Sequence, residues 1–127
     1  MNPTRVDGSR REFPPESSSV RAARRFAVDA PESEGVDADA LELAVSELAS
    51  NAVLHARTTF VVEVERTHDG VRVSVSDGDP TVPRVRQVDT TDITGRGMAI
   101  VDALSRHLEV VTTPGGKTVR FELGRAT

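Results

Sequence analysis

Two segments of the sequence place a carboxylate, an amide and glycines where they could act on a nucleotide. Glu47 and Asn51 lie four residues apart near the end of a predicted helix, so their side chains share one helical face. Gly95 and Gly97 precede an apolar run that is typical of another helix, whose first N–H groups have no partner within the helix. Together these groups predict a magnesium–nucleotide site.

The acid and the amide also have a plain structural interpretation. On an amphipathic helix, Glu47 and Asn51 are alternatively two solvated polar positions. Their apolar neighbours, and the poor fit of asparagine to a helix interior, favour a functional role. Asn51 would then give its oxygen to Mg²⁺, and Glu47 would accept a proton. His55 extends the same face, and we interpret it as a structural residue at the helix end, although a phosphate contact is the alternative.

A second carboxylate lies at the end of a valine-rich segment. Asp77 follows this predicted strand and precedes Gly78. Such a carboxylate can accept a hydrogen bond from an exocyclic amine like that of adenine, and a simple turn residue is the alternative. We interpret Asp79 and Pro80 as turn residues that stop the strand.

Two further segments carry weaker signals. Arg96 lies between the two glycines and would contact either phosphate or solvent. Residues 116–118 read Gly-Lys-Thr, as at the end of a P-loop, but the first glycine of that motif would fall on Val111, and a strand follows. A P-loop is therefore excluded, and Thr118 is left as a residue that could contact a ligand from the start of its strand.

Length and composition exclude several classes of protein. The 127 residues suffice for one ordinary domain, and a net charge of -4 lacks the basic excess typical of nucleic-acid binding. There is no cysteine, which excludes disulfides and thiolate chemistry in this chain. The sequence shows neither an apolar run long enough for a membrane span nor a secretory signal, so we expect a cytoplasmic protein without membrane contact.

The periodicity of apolar residues predicts the elements. Helical spacing predicts three helices, at residues 17–29, 37–56 and 98–104. Alternation predicts four strands, at residues 58–66, 71–76, 108–112 and 118–123, with a further short edge strand near residues 11–13. The order helix, helix, hairpin, loop, helix, hairpin predicts an α+β two-layer sandwich, in which helices cover one face of a mixed, mostly antiparallel sheet.

The boundaries of these elements follow from local signals. Asp39 followed by Glu42 is similar to a capping box and predicts the start of the second helix. Residues 81–94 form a polar loop long enough to be functional or disordered. We expect residues 1–16 to be a polar leader and residues 17–127 to be a single domain.

In their order along the chain, these motifs resemble those of the GHKL superfamily of ATP-binding domains. Residues 47–51, 77–79, 95–97 and 116–118 are similar to its N box, G1 box, G2 box and last box. Within the superfamily, the chain resembles the small anti-sigma-factor serine kinases of the RsbW type, through the segments SELASNAVLHA and GRGMAIVDALS. The G1 box often reads Asp-x-Gly-x-Gly, but here its second glycine is missing and Pro80 follows Asp79.

The resemblance implies a GHKL (Bergerat) fold, ATP and Mg²⁺ as cofactors, and a role for each matching residue. Asn51 would bind Mg²⁺, Asp77 would bind the adenine amine, and Glu47 would be the general base for a serine hydroxyl. The phosphates would lie beneath a lid formed by residues 81–94. The residues implied in nucleotide binding are Asn51, Asp77, Gly78, Gly95, Arg96, Gly97, Met98 and Thr118.

The resemblance also implies partner proteins. The protein would phosphorylate an anti-sigma-factor antagonist on serine or threonine, sequester a sigma factor and so regulate transcription. A homodimer is a further expectation, with residues 20–28 as its candidate interface. The alternative is a non-catalytic ATP-binding or docking module that regulates a partner by binding alone, for which the altered G1 box is the motivation.

Overall fold

The protein forms one five-stranded sheet whose inner face is covered by helices. The computed structural model describes residues 8–81 and 93–125, with the side chains of residues 93–98 outside that description. The strands are β1 (Gly8–Phe13), β2 (Phe60–Arg66), β3 (Gly70–Asp77), β4 (Arg106–Thr113) and β5 (Gly116–Gly124). The helices are α1 (Ser18–Asp29), α2 (Ala38–Asn51) and α3 (Ile93–Leu104). None of these helices has the length and apolar character that a bilayer crossing requires.

The sheet order is β1-β2-β3-β5-β4, and every neighbouring pair is antiparallel. The alternation along the strands explains the two layers. Val64, Val73 and Phe121 are register partners on three adjacent strands, and all three are fully buried. The residues between such positions face away from the helices and are only partly buried. Burial of each large apolar side chain stabilises the fold by about 1.5–3 kcal/mol. The α+β class and both predicted hairpins are confirmed.

Strand β1 ties the first part of the chain to the core. It pairs with β2, and the Phe13 ring stacks on Phe60 with centroids 5.4 Å apart. Phe26 of α1 approaches Phe13 edge-on at 6.1 Å. Part of the segment predicted as a leader is therefore an edge strand of the sheet, longer than the one predicted near residues 11–13.

The N-cap of helix α2 lies two residues before the predicted capping residue. Asp37, with extended backbone angles, accepts hydrogen bonds through Oδ1 from the backbone N–H groups of Asp39 at 2.9 Å and Ala40 at 3.2 Å. The cap is therefore Asp37, and Asp39 lies in the first turn, where its charge favours the positive end of the helix dipole.

At its other end, α2 continues into a π-helical turn, Ala52–Ala56. Arg57 ends this turn in a left-handed conformation with φ of 56° and donates its N–H to the carbonyl of Ala52 at 2.8 Å. The predicted extent of the helix to residue 56 is confirmed. The wider last turn was not predicted, and such turns are found mostly at functional sites.

Helix α3 begins at Ile93 rather than at Met98, so the predicted start was wrong. Gly95 and Gly97 lie within its first two turns and do not precede it. A glycine costs a helix only about 1 kcal/mol relative to alanine, and packing compensates because α3 contacts α2 and buries Val101 completely. Most of the predicted lid, residues 82–92, lies outside the described residues.

Candidate functional site

The chain connection after α2 brings the end of this helix to one end of the sheet. Residues 57–59 join the π-helical turn to Phe60, and Phe60 is the register partner of Asp77. The Thr58 hydroxyl accepts a hydrogen bond from the backbone N–H of Gly78 at 2.8 Å and holds this connection against the end of β3. Asn51 and Asp77, predicted independently from two distant segments, thus lie toward the same end of the domain.

Asn51 carries an amide that lacks a partner. Among the described residues, its side-chain nitrogen is buried and has no hydrogen-bond acceptor. A buried polar group left unsatisfied costs about 1–3 kcal/mol, so this position fits a ligand that brings acceptor oxygens. Rotation of the amide exchanges its oxygen and nitrogen, and the same side chain can therefore offer an oxygen to a hard cation such as Mg²⁺.

Glu47 lies one turn before Asn51 on α2 and is partly buried between fully buried helix positions, Ala44 and Leu48. This placement keeps its carboxylate close to the helical face that carries the amide. His55 lies in the π-helical turn and is exposed, which agrees with its structural interpretation. Within the described residues, no cluster of three or more His, Cys, Asp or Glu side chains could hold a metal ion.

Asp77 forms a buried ion pair that the sequence analysis missed. Its carboxylate lies on the helix-facing side of the sheet, where Lys117 is its register partner on β5. The Lys117 Nζ donates to Asp77 Oδ1 at 3.2 Å and lies 3.1 Å from Oδ2, and the side chains of Lys117 and Asp77 are only 8% and 6% exposed. The signal was available in principle, because pairing of the two predicted hairpins places Lys117 opposite Asp77.

Thr118 lies on the other face of the sheet. Its hydroxyl is 2.8 Å from the hydroxyl of its register partner Ser76, on the side away from the helices. Since successive residues of a strand point to opposite faces, Thr118 is directed away from Asp77. Lys117, and not Thr118, is therefore the β5 residue beside Asp77, which corrects the expectation for this strand.

Two side-chain turns hold the segment after β3. Asp77 Oδ1 accepts from the backbone N–H of Asp79 at 2.8 Å, and Asp79 Oδ1 accepts from that of Thr81 at 3.0 Å. The second bond is the main cause that lowers the pKa of the Asp79 carboxyl, with a smaller contribution from Lys117. Because this pKa is depressed, the stabilisation is present at neutral pH and is lost as the pH falls below 3.8. The turn role predicted for Asp79 agrees with this geometry.

Gly116 is required where β5 passes β3. A Cβ added there would overlap the carbonyl oxygen of Asp77, whereas one added at Gly115 would have no heavy atom within 4 Å. We expect Gly116→Ala to lower the free energy of unfolding by about 1–3 kcal/mol, as overpacking does. Gly115→Ala is the matched control and should leave urea denaturation nearly unchanged. Equal effects of the two variants would contradict the close approach of these strands.

Helix α3 leads directly into the edge strand β4. The helix ends at Leu104, and Arg106, the first residue of β4, pairs with Glu122 on β5. Gly95 and Gly97 lie in its first two turns, at the end of the helix away from β4. The side chains of Arg96 and Met98 lie outside the described residues.

The candidate site lies in a two-layer α+β domain, with a carboxylate at the end of an inner strand and an amide at the end of a covering helix. The family model described as the Histidine kinase-like ATPase domain matches residues 13–123, so the chain belongs to that family and is an ATP-binding domain. A search of curated proteins finds no match to the sequence.

A solved structure shares the fold. The RsbU and RsbW domains of Rv1364c from Mycobacterium tuberculosis align with a TM-score of 0.66 and 22% sequence identity, over 94% of this chain and 34% of that one. The chain thus spans about a third of that protein's length. Likeness at this identity establishes the fold of the domain.

Proposed function

We propose that the protein binds Mg–ATP and transfers the γ-phosphoryl group to a serine or threonine of an anti-sigma-factor antagonist. The observation that carries the proposal is that the buried Asp77 carboxylate and the Asn51 amide, whose nitrogen has no hydrogen-bond partner among the described residues, both lie toward one end of the domain. Family membership supports ATP as the nucleotide, and the shared fold with an RsbW domain supports the class of partner. We place this activity in the cytoplasm.

Each proposed role uses a group already described. Asp77 accepts a hydrogen bond from the adenine amine, and Asn51 binds the Mg²⁺ that neutralises charge on the phosphates. The first turn of α3 offers its unpaired backbone N–H groups to the phosphates, and Gly95 and Gly97 allow close approach of the backbone. Gly78, Arg96 and Met98 complete the proposed binding set, as the family resemblance implies.

The transfer step assigns one proton to Glu47. The partner's hydroxyl oxygen forms a bond to the γ-phosphorus while the bond to the ADP oxygen breaks. The hydroxyl proton passes to the Glu47 carboxylate, which lies one turn from the residue proposed to bind the metal. In this arrangement, Glu47 contributes to the rate of phosphoryl transfer. Asn51 and Asp77 contribute to the affinity for the nucleotide.

A non-catalytic ATP-binding or docking module is the second candidate. The observation that favours it is the altered G1 box, in which the second glycine is missing and Pro80 follows Asp79. ATP binding without phosphorylation of any antagonist would support this candidate. A sigma factor as a second partner, and a homodimer through residues 20–28, remain predictions under either candidate.

Removal of the Asn51 amide tests the nucleotide site directly. We expect Asn51→Ala to weaken Mg–ATP binding by about ten- to hundredfold, the value of a hydrogen bond or ligand contact to a charged group. Isothermal calorimetry with Mg²⁺ and with EDTA measures the effect. His55→Ala, one turn further along the chain, is the control and should bind like the wild type. Unchanged magnesium-dependent binding in Asn51→Ala would contradict the metal role.

A further inference from the structure

The amine of Lys117 makes two hydrogen bonds to neighbouring groups. Nζ donates to Asp77 Oδ1 at 3.2 Å and to the backbone carbonyl of Asp79 at 3.0 Å, and it lies 3.1 Å from Asp77 Oδ2 in the ion pair. A lysine ammonium has three N–H donors, so one of them has no hydrogen-bond acceptor among the described residues. This is the only lysine in the 127 residues, and it lies on the helix-facing side of the sheet beside the proposed adenine contact.

The contacts of Asp77 leave room for one more donor. Its Oδ1 accepts hydrogen bonds from the Asp79 N–H and from Lys117, whereas its Oδ2 contacts Lys117 only through the ion pair. An ionised carboxylate offers about four acceptor positions, so Oδ2 can accept a further hydrogen bond. An exocyclic amine can therefore bind Asp77 without displacing Lys117.

The third Lys117 donor and the Asp77 Oδ2 acceptor belong to one ion pair. Nζ and Oδ2 are 3.1 Å apart, and the hydrogen bonds to Oδ1 and to the Asp79 carbonyl hold the amine in place. The pair therefore presents one acceptor and one donor side by side.

We propose that Lys117 is a specificity-determining residue that donates a hydrogen bond to ring nitrogen N1 of adenine while Asp77 accepts from the 6-amino group. The inference rests on the proposed ATP binding. Adenine presents a donor and an acceptor at these two neighbouring positions, which matches an acceptor beside a donor. Guanine presents the reverse order, so its 6-oxo group would face the Asp77 carboxylate. The ion pair thus selects an aminopurine by charge as well as by hydrogen bonding.

The test removes either partner of the proposed contact. Calorimetry compares ATP with 1-deaza-ATP, in which a C–H replaces N1, on the wild type and on Lys117→Met, which keeps the chain length without the amine. We expect the wild type to bind ATP at least about tenfold more tightly than the analogue, the value of a hydrogen bond to a charged group. Lys117→Met should bind the two ligands equally. A preference for ATP that persists unchanged in Lys117→Met would overturn the proposal.

The outcomes separate this inference from the proposed function. If the wild type binds ATP and 1-deaza-ATP equally, the Lys117 role is wrong and ATP binding stands. If the wild type binds neither ligand, both the Lys117 role and the proposed ATP binding are wrong. Should Lys117→Met fail to fold, equal binding of the two ligands by the wild type still overturns the proposal, because that comparison needs no variant. If Lys117 had only a general structural role, Lys117→Met would weaken the binding of ATP and of 1-deaza-ATP by the same factor. The ratio of the two affinities would then stay as in the wild type.

Discussion

Asp77→Ala should lower the free energy of unfolding by about 3–5 kcal/mol, the effect of removing one partner of a buried ion pair. The variant leaves the Lys117 ammonium, whose side chain is 8% exposed, without its carboxylate. Burial of an unpaired charge is the physical cause. Urea denaturation followed by far-UV circular dichroism measures the change.

The chain supplies two comparisons for this variant. Asp69→Ala breaks the exposed pair between Asp69 and Arg106, whose side chains are 57% and 46% exposed, and should have a much smaller effect. The double variant Asp77→Ala/Lys117→Met removes both buried charges and should recover a large part of the lost stability. If Asp77→Ala costs no more than Asp69→Ala, the ion pair is not desolvated as the structure indicates.

Glu47→Gln should reduce phosphoryl transfer by about 10²–10⁴-fold, the usual contribution of a positioned general base. Glutamine keeps the size and polarity of the side chain but cannot take the hydroxyl proton. Because Glu47 is not assigned a nucleotide contact, the affinity for Mg–ATP should stay within about twofold of the wild type. Transfer of labelled phosphate to a co-encoded antagonist, together with calorimetry, measures both quantities.

The matched control is Glu42→Gln on the same helix. Glu42 faces the arginines of α1, including Arg21 and Arg24, on a different side of α2 from Glu47. This variant should transfer phosphate at the wild-type rate. A wild-type rate in Glu47→Gln would exclude the general-base role, and a loss of ATP affinity would show that Glu47 contributes to binding instead.

The sheet could be predicted because its burial pattern is simple. One face of each central strand is buried, so apolar residues alternate with polar ones in β2, β3 and β5. Two turn signals, at residues 68–70 and 114–116, then define the hairpins. These local signals sufficed for the α+β class and for the strand at whose end Asp77 lies.

The ion pair could not be predicted by the same means. Asp77 and Lys117 are forty residues apart, and their contact depends on the register between two hairpins, which no local pattern specifies. A register shift of one residue moves every side chain of a strand to the opposite face of the sheet. Lys117 and Thr118 are neighbours along β5, so a shift of this size would exchange their faces. The motif resemblance directed attention to the threonine, whereas the pairing of β3 with β5 selects the lysine.

The helix boundaries show a related limit. Glycines at 95 and 97 were interpreted as a loop, but α3 includes them because its packing against α2 outweighs their low helix propensity. The π-helical turn after Asn51 likewise follows from how the chain must reach β2, not from local composition. The roles assigned to Glu47, Asn51 and the first turns of α3 stay predictions until the nucleotide assays are made.

The distribution of positive charge has a practical consequence. The sequence has fifteen arginines but a single lysine, and that lysine is almost fully enclosed. An acylating reagent can reach its amine only when the groups that cover it move away, so the labelling rate at this position measures local opening on the helix-facing side of the sheet. The Lys117 amine can therefore serve as a chemical probe of local opening at the proposed adenine contact. No engineered cysteine or fluorophore is needed to follow this opening.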